Sequence, residues 1–266
     1  MSGEDVPQLD TLHAHPARVY NYWLGGKDNF AADREAAEQA IAANPRIVTD
    51  VRANRAFLTR VVRYLAAECG VRQFLDIGTG LPVAGNTHQV AQEVAPDARI
   101  VYADNDPIVL QHAQALMSST PEGTCAYVQA DLRDTAGILR AASMTLDFGA
   151  PVALMLLIIV HLIPDDDDPY GIVAELMEAL PSGSYLVLAH PASDIRAAQM
   201  AEMTRRVNDR MSGPRATMRD RAAITRFFTG LELVEPGVVQ PQQWRPEPGM
   251  LSPTQVTAWC GVARKR

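Results

Sequence analysis

The chain has 266 residues, of which 47% are hydrophobic and 21% are charged, a balance that allows a full core without metals or disulfides. The formal net charge of -7 argues against nucleic acid as a partner, because binding to a phosphate backbone relies on clustered Lys and Arg. We expect residues 1–70 to form a helical extension and residues 71–266 to form an α/β domain, together as one unit.

Cysteine spacing and the N-terminal residues indicate the compartment. Three cysteines lie far apart without CxxC spacing, which favours reduced thiols over a zinc site or disulfides: Cys69, Cys125 and Cys260. Glu4 and Asp5 stand where a secretion signal would carry positive charge. The apolar stretch 152–163 is shorter than the roughly 20 residues of a membrane span. We therefore expect a cytoplasmic protein with no membrane partner.

Three helices are predicted before residue 71, over residues 16–24, 30–43 and 45–70. The third carries apolar residues at helical spacing, which predicts one buried stripe: Ile47, Val51, Leu58, Val61 and Leu65. Asn54 falls on the same stripe, and a buried amide needs hydrogen-bond partners. Asn54 is therefore predicted either to join helices through hydrogen bonds or to point into a polar cavity.

Strands and helices alternate from residue 72 onward, which is typical of a parallel sheet with helices on both faces. Seven strands are predicted, over residues 73–77, 99–104, 125–130, 152–160, 185–189, 231–239 and 256–263. Helices are predicted after Pro82 and over residues 107–117, 135–142, 169–180 and 192–211.

The first predicted strand ends in the motif D-x-G-x-G, formed by Asp76, Gly78 and Gly80. Glycines at this place let the backbone turn tightly and approach a ligand, while the following helix offers free N–H groups. A dinucleotide site needs a small residue where this chain has Val83. An acid before the first glycine instead suggests a cofactor with an ammonium group, such as S-adenosylmethionine, which Asp76 can meet.

Acidic residues also end the second and third predicted strands. After the second, Asp104 with Asn105 is placed to bind ribose hydroxyls, whereas Asp106 before Pro107 is typical of a helix N-cap. After the third, Asp131 is placed to accept the amino group of an adenine. The alternative for Asp131 is a helix cap.

Two histidines follow the fourth and fifth predicted strands. Ligands of open α/β sheets bind beyond the carboxyl ends of the strands, so His161 and His190 are predicted to flank one cleft. Either can act as a general base; the alternative is a structural histidine satisfied by the backbone. The acidic run at 165–168 can bind a divalent cation or form a solvated loop. We favour the loop and predict no metal.

Several blocks of the sequence resemble an actinobacterial S-adenosyl methyltransferase family over nearly the whole chain. They are PARVYNYWLGGKDNFAADREAAE (residues 16–38), ANRAFL, QFLDIGTGLP, YADNDP, ADLRD and LVEPGVV. The resemblance implies a class I, Rossmann-like methyltransferase fold, with a mostly parallel seven-stranded sheet whose last strand is antiparallel. It also implies S-adenosylmethionine as the cofactor. Its tail would lie at Asp76, Gly78 and Gly80, its ribose at Asp104, and its adenine at Asp131 and Leu132.

The N-terminal block permits two interpretations. Donors and aromatic side chains surround the turn at Gly25 and Gly26, as in a lid that excludes water and contacts the acceptor: Arg18, Tyr20, Tyr22, Lys27 and Asn29. Alternatively, the block is a structural cap in which the tyrosines pack and Arg18 pairs with an acid.

The expected activity is methyl transfer from S-adenosylmethionine to an oxygen or nitrogen of a small molecule, with His161 as a candidate base. The motifs of DNA methyltransferases, N/D-P-P-Y or Pro-Cys, do not follow the fourth strand, where the chain reads Val-His-Leu-Ile. Two alternatives stay open. One is a non-catalytic module that binds the cofactor, and the other is an aminopropyl transferase using decarboxylated S-adenosylmethionine, against which Asp76 argues modestly.

Overall fold

Three helices precede the sheet in the computed structural model, which describes residues 10–109, 119–210, 215–247, 249 and 254–266. They are α1 (Pro16–Trp23), α2 (Ala31–Ala43) and α3 (Ile47–Ala67). The predicted stripe of α3 is buried. Phe57 and Leu65 of α3 pack in the same apolar cluster as Phe74 and Ile100 of the sheet, so the N-terminal helices share a core with the rest of the chain.

The sheet has seven strands in the order β3-β2-β1-β4-β5-β7-β6. They are β1 (Gln73–Ile77), β2 (Arg99–Asp104), β3 (Thr124–Gln129), β4 (Ala153–Leu157), β5 (Tyr185–Pro191), β6 (Glu232–Leu233) and β7 (Ala258–Arg264). The first five strands pair in parallel, and β7 is antiparallel to both of its neighbours. The predicted mostly parallel sheet with an antiparallel last strand is confirmed.

Helices cover both faces of this sheet. The later ones are α4 (Thr87–Val94), α5 (Thr135–Ala142), α6 (Pro169–Glu178), α7 (Ala197–Asn208) and α8 (Arg221–Thr225). One core joins the sheet to α5 and α6, and a second joins its other face to α3 and α4. Residues 107–109 are helical, and most of the helix predicted for 107–117 lies outside the described residues.

Several predicted elements have different bounds in the structure. The strand predicted to reach residue 160 ends at Leu157, because Ile158 adopts a left-handed φ of 57°. The strand predicted over 231–239 shrinks to two residues, since Pro236 has no N–H to pair and Gly237 turns the chain at a φ of 82°. The helix predicted to begin at residue 192 begins at Ala197. In the part of the chain that the structure describes, no helix is long and apolar enough to cross a membrane.

Candidate active site

A cavity of about 300 Å³ lies along the carboxyl edge of the sheet. Its lining contains every residue predicted to bind the cofactor, all at the ends of the first three strands: Asp76, Gly78, Gly80, Asp104, Asn105, Asp131 and Leu132. We call this part the β1–β3 end. The lining continues past β4 and β5 to the start of β7, which is the order of the strands in the sheet. We call that part the β4–β7 end.

The turn after β1 requires its glycines. Gly78 and Gly80 have φ values of 74° and 66°, in the left-handed region that residues with a Cβ enter at a cost. A Cβ on Gly78 would lie 2.4 Å from Cγ1 of Ile159. The backbone N–H of Gly80 donates to Oδ2 of Asp104 at 2.8 Å, so the turn and the end of β2 hold each other in place.

Asp76 is a buried carboxylate at this end of the cavity, only 6% exposed. Its Oδ2 accepts a hydrogen bond of 2.6 Å from Oγ1 of Thr87. Its pKa is raised to about 6, mainly by burial and in small part by the charge on Asp104, while the hydrogen bond from Thr87 and the charge of Arg55 act in the opposite direction. A cation beside Asp76 would relieve this cost, so the site fits the ammonium group of an amino acid.

Asp104 retains hydrogen-bonding capacity after its two backbone bonds. Oδ1 accepts from the N–H of Asp106 at 3.0 Å, and Oδ2 accepts from Gly80. Each carboxylate oxygen can accept more than one hydrogen bond, so a ribose diol can still be bound. Asp106 accepts the N–H of Ile108 at 2.9 Å, which confirms the N-cap interpretation for Asp106.

Asp131 does not cap α5, so that alternative is wrong. The cap is Asp134, which accepts the N–H of Gly137 at 2.9 Å. Asp131 instead accepts two hydrogen bonds of 2.8 Å from the guanidinium of Arg133, at Oδ1 from Nε and at Oδ2 from Nη2. Arg133 holds the pKa of Asp131 below its usual range. The ion pair fixes this carboxylate beside Leu132 in the cavity lining.

The two histidines are neighbours, with ring centroids 6.0 Å apart, but only His161 lines the cavity. His190 is fully buried. Its Nδ1 lies 2.8 Å from the carbonyl of Pro191, and Nη1 of Arg219 lies 2.9 Å from its Nε2. A carbonyl accepts and a guanidinium donates, so both nitrogens are occupied in the neutral ring. The prediction that His190 faces the cleft as a possible base is wrong.

His161 lies in a short 3-10 turn, Val160–Leu162, directly after β4. Its Nδ1 is buried without a hydrogen-bond partner among the described residues. Burial, and then the charge of Arg219, lower its pKa to about 4. The imidazole is therefore neutral at neutral pH and can accept a hydrogen bond.

Arg219 was not identified from the sequence, yet it organises the loop after β4. Its buried guanidinium donates to the carbonyls of Val160 at 3.3 Å and Ile163 at 2.9 Å, and to Asp165 at 2.6 Å. These residues lie on both sides of His161 in the chain. In the sequence, Arg219 stands between several other arginines outside any predicted element, and nothing local distinguishes it from them.

Of the residues predicted for a lid, Tyr20 lines the cavity, and the other contributions of the N-terminal block come from residues that were not predicted. Arg18, Tyr22, Gly26 and Asn29 lie outside the lining, which instead takes Pro16, Val19, Tyr20 and Trp23 from α1. Arg18 is buried 3.4 Å from the carboxylate of Asp33 and donates to the carbonyls of Asp10 and His13.

Two further polar side chains of the block, Tyr22 and Asn29, have structural partners too. Tyr22 donates to Glu38, and Asn29 donates to Asn21 and to the carbonyl of Gly26. The lid interpretation is therefore wrong for these four residues. Asn54 combines the two roles predicted as alternatives. It lines the cavity, and it joins α3 to α1 by donating to the hydroxyl of Tyr20 at 3.0 Å.

The acidic run after β4 has structural partners. Asp165 pairs with Arg219, Asp167 pairs with Arg133 at 3.2 Å, and Asp168 caps α6 by accepting the N–H of Gly171 at 3.0 Å. Within the described ranges, no group of three or more His, Cys, Asp or Glu residues is placed to hold a metal ion.

The sheet order, the glycine turn after β1 and the acids after β2 and β3 define a class I, Rossmann-like methyltransferase. The model of the S-adenosyl methyltransferase family matches residues 2–266. The chain belongs to this family, and its cofactor is S-adenosylmethionine. A comparison with curated protein sequences gave no match.

Solved structures agree with this assignment. A DUF574 family protein from Streptomyces avermitilis is 45% identical, with a TM-score of 0.92 over 97% of this chain and 99% of that one. A candidate methyltransferase from Thermobifida fusca is 39% identical, with a TM-score of 0.88 over the full length of both chains, 100% each. The fold extends to a S-adenosylmethionine-dependent methyltransferase from Anabaena variabilis, at 17% identity and a TM-score of 0.54 over 90% and 96% of the two chains.

Proposed function

We propose that the protein transfers a methyl group from S-adenosylmethionine to an oxygen or nitrogen of a small molecule bound in the β4–β7 end. The observation that carries this proposal is the continuation of one cavity beyond the cofactor residues, between side chains of α1, α3 and α7. A module that only bound the cofactor would not need this space. The cavity therefore supports an enzyme over a non-catalytic module.

The residues of the β1–β3 end have distinct roles in this proposal. Asp76 would hold the ammonium group of the cofactor, Asp104 would accept the ribose hydroxyls, and Asp131 with Leu132 would contact the adenine. S-adenosylmethionine supplies a methyl group on a sulfonium, which an acceptor lone pair takes while the carbon–sulfur bond pair stays on sulfur. Alignment of the two reactants supplies much of the acceleration of such a step.

His161 is our candidate for contact with the acceptor. A base whose pKa is about 4 is too weak to keep a proton at neutral pH. We therefore assign it the acceptance of a hydrogen bond from the reacting hydroxyl or amine, whose proton then passes to water. His161→Ala should slow turnover and leave cofactor affinity unchanged. Equal turnover in wild type and variant would make His161 a structural residue.

Two measurements test the proposed function. Titration calorimetry should show binding of S-adenosylmethionine and S-adenosylhomocysteine, and absence of both would refute it. Labelled donors then distinguish the reactions. A label in the transferable methyl group should reach an acceptor, whereas a label in the aminopropyl group of decarboxylated S-adenosylmethionine should not. Transfer of the aminopropyl label would favour the alternative transferase.

Asp104→Ala should weaken cofactor binding by about 1–3 kcal/mol, as expected for a lost charged hydrogen bond to the ribose. Calorimetry with S-adenosylhomocysteine measures the change. Asp97→Ala is the matched control, because Asp97 is an exposed acid before β2 that pairs only loosely with Arg72 at 3.5 Å. Unchanged affinity in a folded Asp104→Ala protein would place the ribose elsewhere.

Cofactor affinity should depend on pH through Asp76. Its pKa is about 6 in the folded protein and 3.8 ordinarily, so the empty site retains a proton between these values. An ammonium partner favours the ionised carboxylate, and binding below about pH 6 must release that proton. We expect S-adenosylhomocysteine to bind about tenfold more weakly one pH unit below the pKa, and affinity to level off above it.

Calorimetry across this range measures the dependence. Burial also raises the pKa of Asp104, so a control must separate the two acids. That control is Asp76→Asn, in which the affinity should no longer change near pH 6. The same change of affinity in that variant would assign the pH dependence to another group.

A further inference from the structure

One wall of the β4–β7 end of the cavity is formed by six large apolar side chains, three of them methionines: Trp23, Ile47, Met200, Met203, Val207 and Met218. These six also pack together as one apolar cluster between α1, α3, α7 and the segment after α7. Methionine thioethers adapt their shape and make favourable contacts with aromatic rings. This wall suits a flat, apolar ligand.

The ionic groups described at this end are already compensated. Asp50 is buried, and its carboxylate lies 3.5 Å from Nη2 of Arg196. It also accepts hydrogen bonds from Thr257 and from Asn44. His161 is neutral. A charged ligand would therefore lose its hydration at this end without gaining a counter-ion from the residues described there, which is costly. The cation Arg55 also lines the cavity, but it donates to the carbonyls of Ala84 and Gly85, beside the cofactor residues.

Two buried polar atoms in the lining residues still lack a partner among the described residues, Oδ1 of Asn54 and Nδ1 of His161. The amide of Asn54 is fixed by its bond to Tyr20. Buried polar atoms are rarely left unpaired in proteins. Both side chains line the cavity, but these two atoms are covered by the protein, so a ligand with a hydroxyl or N–H group can satisfy them after a small rotation of the amide or the ring.

We infer that the acceptor is an uncharged, mainly apolar aromatic molecule that carries a hydroxyl or a neutral amine. This inference rests on the proposed function, because it takes the β4–β7 end as the acceptor site. The apolar wall binds the ring, the described ionic groups of the β4–β7 end are already paired and so reject charged analogues, and the polar side chains of Asn54 and His161 receive the hydroxyl or amine.

Three probes with the same ring system test it: naphthol, naphthoate and naphthylmethylammonium, each titrated into the complex with S-adenosylhomocysteine. Naphthol should bind at least about tenfold more tightly than either charged probe, a difference of about 1.4 kcal/mol. The inference is overturned if a charged probe binds as tightly as naphthol. It is also overturned if no probe binds with a Kd below about 1 mM.

A pair of variants assigns the binding to this wall. Met218→Gln places an amide at a partly buried position of the lining. It should weaken the binding of naphthol several-fold without changing the affinity for S-adenosylhomocysteine. Met144→Gln is the control, because Met144 is 85% exposed and outside the lining. Equal naphthol affinity in wild type and both variants would contradict the assignment. The proposed function fails separately, if S-adenosylhomocysteine itself does not bind.

Discussion

Replacing Arg219 with methionine is expected to lower the free energy of unfolding by about 3–5 kcal/mol. The guanidinium is only 3% exposed, and its loss would leave the carbonyls of Val160 and Ile163 and Nε2 of His190 without their donor. Buried acceptors that lose a donor cost their full desolvation. Urea unfolding followed by circular dichroism measures the change.

Arg205→Met is the matched control for this experiment. Arg205 pairs with Glu202 and Asp209 on the outside of α7, where its side chain is 62% exposed, and exposed ion pairs contribute little, about 0–1 kcal/mol. An equal decrease in the free energy of unfolding in the two variants would show that the Arg219 hydrogen bonds do not stabilise the loop after β4. A second readout is the pKa of His161, which should rise without the Arg219 charge.

Gly78→Ala is expected to cost about 2–5 kcal/mol of stability and, in protein that still folds, to weaken cofactor binding. The left-handed backbone costs about 1–2 kcal/mol for alanine, and displacement of a packed neighbour costs about 1–3 kcal/mol more. That neighbour is the branched side chain of Ile159, 2.4 Å from the new Cβ. Thermal unfolding and calorimetry with S-adenosylhomocysteine measure the two effects.

Gly85→Ala separates the cost of the left-handed backbone from the cost of displacing Ile159. Gly85 has a similar φ of 76°, but a Cβ there would meet no heavy atom within 4 Å. Only the backbone cost should appear. The double variant Gly78→Ala, Ile159→Ala should recover part of the loss, because the colliding atoms are gone. A Gly78→Ala protein no less stable than Gly85→Ala would show that Ile159 moves aside freely.

Local signals in the sequence were sufficient for much of the fold. The order of strands and helices followed from periodicity, and the N-cap at Asp106 followed from an acid before proline. The early end of β4 at Ile158 was not foreseeable, since isoleucine rarely adopts a positive φ. The role of Arg219 depends on contacts with residues more than 50 positions earlier, which no local pattern contains.

The residues of α1 that line the cavity did leave a signal. Four of these five residues, Pro16, Val19, Tyr20 and Trp23, are spaced at 0, 3, 4 and 7, the pattern of one helical face, and the fifth is Ala17. Arg18 and Tyr22 lie on another face. The prediction instead selected donors and aromatic side chains near the glycine turn, and of these only Tyr20 lines the cavity. Helical spacing would have chosen the face correctly.

Ile158 has a left-handed backbone conformation, which selection for stability alone would remove. A branched residue at a φ of 57° costs about 1–3 kcal/mol, and Ile158 lines the cavity between β4 and His161. Directed evolution for heat resistance should therefore find this position early. Variants selected there should have higher thermal stability and lower turnover, so stability and activity place opposite demands on Ile158.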